Sequence, residues 1–230
     1  KEYNLKNLCL AGGVALNCVA NGKILEKKIF DKIWIQPAAG DAGGSLGAAL
    51  ALWYNEMKKE RKIFKTDQMQ GSYLGPEYSQ NEIEIKLKEA GAIFEVMKEE
   101  ELIDKTAEDL SKGKAIGWFQ GRMEFGPRAL GGRSILADAR SINMQKDLNL
   151  KIKFRESFRP FAPSIIRENL STWFDLNCDS PYMLLVSDVV KEKRRMMTEE
   201  EKSLFGIDKL NIKRSNIPAV TPVSYTHLRA

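Results

Sequence analysis

Apolar and polar positions along the chain switch between a strand-like and a helix-like period. Residues 5–10 (LKNLCL) run into Ala11-Gly12-Gly13, the pattern of a buried strand that ends in a glycine turn. From Val14 to Lys28 the apolar positions Val14, Cys18, Ile24 and Leu25 keep helical spacing, with Asn21-Gly22 an unusual interruption. Residues 31–36 (DKIWIQ) predict a second strand closed by Pro37, residues 38–44 a small-residue loop, and residues 45–60 a helix with a highly charged end. This order of strand, helix, strand and helix predicts an α/β layer. Polar residues 58–70 form a connector, and a boundary between two domains is placed near residue 68. Beyond it Ser79 is suited to N-cap a helix over 80–90 that Gly91 ends. A short strand over 92–97, an amphipathic helix over 100–112 closed by Gly113, and a strand over 114–120 come next. The charged stretch 190–216 reads as a solvated helix or mobile loop.

Composition narrows the chemistry. The longest apolar stretch, around Gly44–Trp53, is about ten residues long, against the roughly 20 that span a bilayer. Residues 1–7 are charged and polar, without the apolar core of a signal peptide, so a cytoplasmic protein with no membrane contact is expected. Cys9, Cys18 and Cys178 are widely spaced and form no CxxC pair, which points to reduced thiols rather than a disulfide framework or thiolate zinc site. The single histidine, His227, lies almost at the end of the chain, which leaves a Ser-His-Asp triad or a His-rich metal site little to be built from. Between Arg122 and Arg159 stand nine Lys or Arg against four acids, an excess equal to the whole net charge of +5. Cations concentrated in one window suggest an anionic ligand: phosphate, nucleotide or nucleic acid.

Four stretches carry candidate chemistry. In Ala11-Gly12-Gly13-Val14-Ala15-Leu16-Asn17, glycines at a strand-to-helix turn allow close approach to the backbone, and the adjoining helix offers N–H groups to an anion; tight packing is the alternative. Asp41, among residues too small to screen it, is suited to a metal, to a ribose hydroxyl, or to capping the next helix. Residues 121–134 (GRMEFGPRALGGRS) place three arginines among four glycines and a proline, where guanidinium forks grip phosphate or carboxylate and Glu124 is placed to hold one arginine. In residues 151–163 (KIKFRESFRPFAP), an extended backbone would put Lys151, Lys153 and Arg155 on one face, a cluster that an anion would neutralise, with Phe158 and Phe161 as packing.

These stretches resemble a known family. Gly12–Asn17 (GGVALN) with Asp41-Ala42-Gly43-Gly44 is similar to the end of the catalytic domain of O-carbamoyltransferases of the nodulation and antibiotic-tailoring type. Residues 125–131 (FGPRALG) and 153–163 (KFRESFRPFAP) are similar to the YrdC-like domain that comes after it. The resemblance covers roughly residues 7–220. It implies an α/β fold in which residues 1–68 are the last part of an actin-like (ASKHA) domain and 69–221 an incomplete YrdC-like domain. Residues 222–230 depart from the family and read as a foreign tail, so an internal fragment, doubtful in activity alone, is expected.

The reaction implied has two steps: carbamoyl phosphate and ATP give carbamoyl-adenylate, and the carbamoyl group then passes to a hydroxyl of an acceptor. By motif, Arg128, Arg133, Ser134, Lys153, Arg155 and Arg159 would bind carbamoyl phosphate, with Arg128, Lys153 and Arg155 catalytic. Gly12, Gly13 and Asn17 would contact nucleotide, and Asp41 would be one ligand of a divalent metal, Mg or Fe. The family's metal-binding histidines would precede Lys1, and the resemblance leaves room for a homo-oligomer. Competing readings are a threonylcarbamoyl-adenylate synthase of tRNA modification and a non-catalytic nucleic-acid-binding module. The motif of residues 125–128 (FGPR) and the actin-like segment before it weigh against the first; nucleic acid is not the expected partner.

Overall fold

The structure, a computed structural model, describes residues 3–210 and 212–221. It is mixed α/β, with two separate two-stranded sheets. In the first, β1 (Asn7–Leu10) pairs in parallel with β2 (Lys32–Ile35), Asn7 opposite Lys32 and Leu10 opposite Ile35. A parallel pair requires a crossover, supplied by a 3-10 turn over Gly13–Leu16 and helix α1 (Cys18–Glu26). Helix α2 (Asp41–Ala51) comes after β2 and continues as a π turn to Glu56, starting four residues before the charge pattern predicts. The second sheet is an antiparallel hairpin of β3 (Ile116–Phe119) and β4 (Arg133–Leu136), with Phe119 opposite Arg133.

Helices α3 (Gln80–Glu89) and α4 (Glu99–Ser111) lie between the two sheets in sequence. Ser79 caps α3 in a reciprocal capping box with Glu82, and Gly91 ends the helix at φ +67°, both as expected. The strand expected over 92–97 is absent: those residues run without regular structure, and Ile93 and Val96 face solvent. A short apolar run alone does not make a strand when no neighbouring strand accepts its hydrogen bonds.

The largest buried cluster joins Leu170, Phe174, Leu176 and Val189 to Ile217 and Val220, with helix α5 (Met144–Asp147) packed nearby through Met144 and Leu148 on Ala219. The charged stretch 190–216 is therefore not simply solvated. It carries helices α7 (Glu199–Ser203) and α8 (Gly206–Leu210), after the short α6 (Leu170–Trp173), and ends with Arg214 and Ser215 buried. A second cluster, Ala15, Ile35 and Ala39 with Leu184, draws the 182–185 segment onto β1 and β2, so burial crosses residue 68. On α2 and its extension, Leu50, Leu52 and Trp53 are exposed. Among the described residues, no helix is long and apolar enough to cross a membrane.

Tyr182 ties the connector to this packing: its hydroxyl donates to the Asp67 carboxylate and accepts the Gly71 N–H at 3.1 Å. Burial, then the bond to Asp67, pushes the hydroxyl up to about 12. Because the folded value is raised, this contribution to stability is present below the ordinary tyrosine range near 10 and lost as pH rises toward 12. Tyr182→Phe is expected to lower stability by about 1 kcal/mol at neutral pH and to flatten the alkaline limb, as read by urea unfolding across pH.

Candidate active site

The first glycine turn is held from below. Asn21, buried on α1, donates through Nδ2 to the carbonyls of Ala15 (2.9 Å) and Leu184 (3.0 Å), which satisfies a polar group the interior otherwise penalises. Beside it, a Cβ at Gly22 would stand 2.7 Å from the Val186 carbonyl oxygen, so the Asn21-Gly22 interruption is a packing requirement. Gly12 adopts φ +89°, and Gly12 and Gly13 are exposed, with nothing within 4 Å of where a Cβ would stand. Asn17 is exposed, and its Oδ1 accepts the Ala20 N–H at 3.1 Å as the N-cap of α1.

The second loop lies at the end of β2. Ala38 and Ala39 are buried, Gly40 occupies the N-cap position of α2, and Asp41 is the exposed first residue of the helix. The capping alternative for Asp41 is therefore corrected: Gly40 holds that position and no side chain caps it, while the charge of Asp41 lies in the first turn, where the helix dipole favours it. Among the described residues no group of three or more His, Cys, Asp or Glu side chains gathers as a metal site. Asp41 offers one exposed carboxylate at the start of α2.

The third stretch is the loop of the β3–β4 hairpin, and it folds around Glu124. One carboxylate oxygen, Oε1, accepts N–H groups from Leu130 (2.7 Å), Gly132 (2.8 Å) and Arg133 (3.3 Å). The expectation that Glu124 holds an arginine side chain is thus corrected; backbone amides surround it because the loop returns on itself within nine residues. Burial disfavours the charge, but these amides outweigh it and hold the carboxyl below the usual range. Tyr73 braces the same loop by donating to the Leu130 carbonyl at 2.6 Å; burial, then the nearby Glu124 charge, raises its own value.

Arg133 sits at the base of the hairpin. Its guanidinium donates to the carbonyls of Gln120, Gly121 and Gly132 and stacks 3.4 Å above the Phe119 ring, while Ser134 Oγ accepts the Gly131 N–H at 2.9 Å. Arg128, half-buried, reaches the other way: Nη2 donates to the Leu16 carbonyl at 3.1 Å. Gly126, at φ +123°, comes so close to the second loop that a Cβ there would be 3.1 Å from Cβ of Ala38. One hairpin loop therefore touches both glycine loops of the first part, 112 residues earlier in the case of Leu16.

The fourth stretch is not extended. Helix α5 runs into a π turn over Leu148–Ile152, so Lys151 pairs with Asp147 at 2.9 Å, one helical turn away, rather than sharing a strand face with Lys153 and Arg155. Apolar residues at 148, 150 and 152 suggest a strand, but Met144 and Leu148, four apart, pack together on Ala219 and favour the helix. The chain then turns back, with Lys153 exposed and Phe154 at φ +48°. Asn149 organises the returning loop: Nδ2 donates to the carbonyls of Ser157 (3.0 Å) and Arg159 (2.8 Å), and Oδ1 accepts from Arg155 Nε at 2.6 Å. Arg155 also lies 5.1 Å from the centre of Phe161, which packs on the core as expected, whereas Phe158 is exposed; Arg159 pairs with Glu156 at 3.1 Å. Asn21, Tyr73 and Asn149 are positioning groups outside the candidate ligand residues; the Asn between Leu148 and Leu150 is the signal that marks the last of them.

The chain matches the family model of the carbamoyltransferase C-terminus over residues 107–228 and that of the carbamoyltransferase N-terminus over residues 1–50. It belongs to the carbamoyltransferase family. It is 56% identical over 225 residues to an uncharacterised protein, sll1178, of Synechocystis, covering 97% of this chain and 37% of that one. It is 42% identical over 197 residues to the nodulation protein NolNO of Sinorhizobium fredii, with 84% and 28% covered. To the nodulation protein NolO of Bradyrhizobium diazoefficiens it is 42% identical over 177 residues, with 76% and 32% covered. The chain thus spans about a third of the length of these relatives. The C-terminal match takes in most of residues 222–230, a stretch outside the described residues.

Proposed function

We propose that this chain carries the carbamoyl-phosphate-handling part of an ATP-dependent O-carbamoyltransferase, with an actin-like segment up to about residue 68 and a YrdC-like region after it. The observation that carries the reading is the contact of Arg128 and Gly126 with the two glycine loops, which joins family motifs distant in sequence. Carbamoyl phosphate is a small dianion. Arg128, Lys153, Arg155 and Arg159 would bind it, and fixed cations would stabilise the charge that collects on phosphate as its bond to the carbamoyl carbon breaks. Guanidinium forks suit a phosphate's oxygens better than a point charge does. Arg133 and Ser134 would act from the base of the loop, where they already hold its carbonyls and an amide.

The exposed backbone at Gly12 and Gly13, with Asn17, is the proposed nucleotide contact, since an unobstructed glycine turn allows phosphate to approach its N–H groups. Attack of water on the carbamoyl carbon would release phosphate and leave carbamate; the carbamate oxygen would attack the α-phosphorus of ATP and expel pyrophosphate, and an acceptor hydroxyl would then take the carbamoyl group and release AMP. The two glycine loops and the hairpin loop being in contact gives the intermediate a short path between the steps.

Calorimetric titration of carbamoyl phosphate into the chain tests this. Saturable binding that persists from about 50 to 200 mM salt supports it, because a small ligand neutralises few charges. A polyanion site would instead favour RNA or DNA and lose affinity by orders of magnitude over the same range, and that result would refute the proposal.

A further inference from the structure

Arg128 stands on a loop of fourteen motif residues rich in glycine, a composition that by itself gives little rigidity. The contacts that fix the loop are internal. Glu124 is 8% exposed and collects three N–H groups from the returning arm of the loop on one oxygen. A Cβ at Gly132 would lie 2.7 Å from the Arg122 carbonyl oxygen and 3.2 Å from Glu124 Oε2, so the chain closes around this carboxylate only because residue 132 has no side chain. From outside, Tyr73 holds the Leu130 carbonyl, and the Phe125 N–H donates to the Ser72 carbonyl at 2.6 Å. Between these fixed points, residues 125–130 arch over to the first part of the chain, with Gly126 against Ala38 and Arg128 against Leu16.

We propose that Glu124 is the positioning residue of the carbamoyl phosphate site: its buried carboxylate shapes the hairpin loop so that Arg128 is held at the first glycine turn in a geometry fit for the substrate. The proposal rests on the proposed carbamoyl-phosphate-binding role of this site. Glu124 does not touch the substrate; it acts through Arg128. A carboxylate suits the task because amide dipoles converging on one oxygen answer a full negative charge more strongly than a neutral acceptor. A neutral amide at this position keeps one acceptor oxygen but loses the charge and turns N–H donors toward the same amides.

The test is a double-variant cycle on carbamoyl phosphate affinity, made on the full chain with Glu124→Gln, Arg128→Lys and the pair. Glu124→Gln is expected to weaken binding about tenfold. Arg128→Lys should then cost markedly less in the Glu124→Gln background than in the wild type, since a mispositioned fork has little left to lose. Tyr73→Phe, which removes one hydrogen bond and leaves the carboxylate, should shift affinity in the same direction by less, and it serves as the probe if Glu124→Gln does not fold. Hydrogen exchange at the Ala15 and Asn17 amides, which close the first turn, should speed up in either variant. Wild-type affinity in the folded variants, or fully additive losses with Arg128→Lys, would overturn the proposal, because a purely structural role lowers thermal stability without coupling to Arg128. If the wild type itself binds no carbamoyl phosphate, the functional reading fails, and the exchange rates alone decide the positioning role: faster exchange supports it and unchanged exchange refutes it.

Discussion

Gly43→Ala should destabilise the chain by about 3 kcal/mol and detach the hairpin loop from the second glycine loop. A Cβ at residue 43 would stand 2.1 Å from the Ala38 carbonyl oxygen and 3.0 Å from its carbon, and backbone that close has to move. Ala38 is fully buried and is the surface on which Gly126 rests, so its displacement is transmitted to the Arg128 loop. The neighbouring glycine provides the control. Gly44 lies in the same helix with nothing within 4 Å of its Cβ position, and Gly44→Ala should gain up to about 1 kcal/mol from helix propensity. Urea unfolding of both variants reads the contrast: opposite signs are expected, and equal small effects would mean that the 38–43 turn is not tightly packed.

Asn149→Leu should cost a comparable amount, about 3 kcal/mol, and should abolish measurable carbamoyl phosphate binding. The side chain is 0% exposed, and the carboxamide joins three points of the basic loop: the Ser157 and Arg159 carbonyls and the Arg155 guanidinium. Leucine has the same branching and number of side-chain heavy atoms but is bulkier, so no cavity opens and some crowding is added. The loss comes from buried polar groups that lose their partner, about 1–3 kcal/mol for each that stays dry. Because Arg155 and Arg159 take their positions from this residue, binding should fall more steeply than stability alone explains. Thermal unfolding and calorimetry on the same sample separate the two effects, and intact binding in a destabilised variant would show that Asn149 serves folding only.

The parts of the molecule legible in sequence are those where local pattern and local structure coincide. The strand-turn-helix from Asn7 to Glu26, the Ser79 cap and the strand at Ile116–Phe119 each arise from spacing and turn chemistry within a few residues. The glycine and arginine stretches are visible as motifs, and the family they suggest is the one to which the chain belongs. The features that sequence does not reveal are decided at long range. Residues 92–97 form a short, mostly apolar run without a strand partner, and residues 148–152 alternate yet turn helically because Met144 and Leu148 pack on Ala219, some seventy residues later. Glu124 illustrates the same limit within a loop. Its residue type suggests an ion pair with arginine, but the path of the loop, set by Gly132 and by Tyr73 some fifty residues earlier, presents backbone amides instead.

Family motifs far apart in the chain are proposed to form one anion site, to which the hairpin loop would contribute Arg128 and the loop fixed by Asn149 would contribute Arg155. Titration of carbamoyl phosphate into the wild type, Arg128→Lys and Arg155→Ala tests it most directly. Arg128→Lys keeps the charge and loses the planar fork, so binding should weaken by about 1–3 kcal/mol, and Arg155→Ala should cost at least as much. Exposed charges acting only as a surface patch would change affinity by about 0–1 kcal/mol each. Losses of about tenfold or more in both variants are the predicted result; wild-type affinity in both would contradict the account.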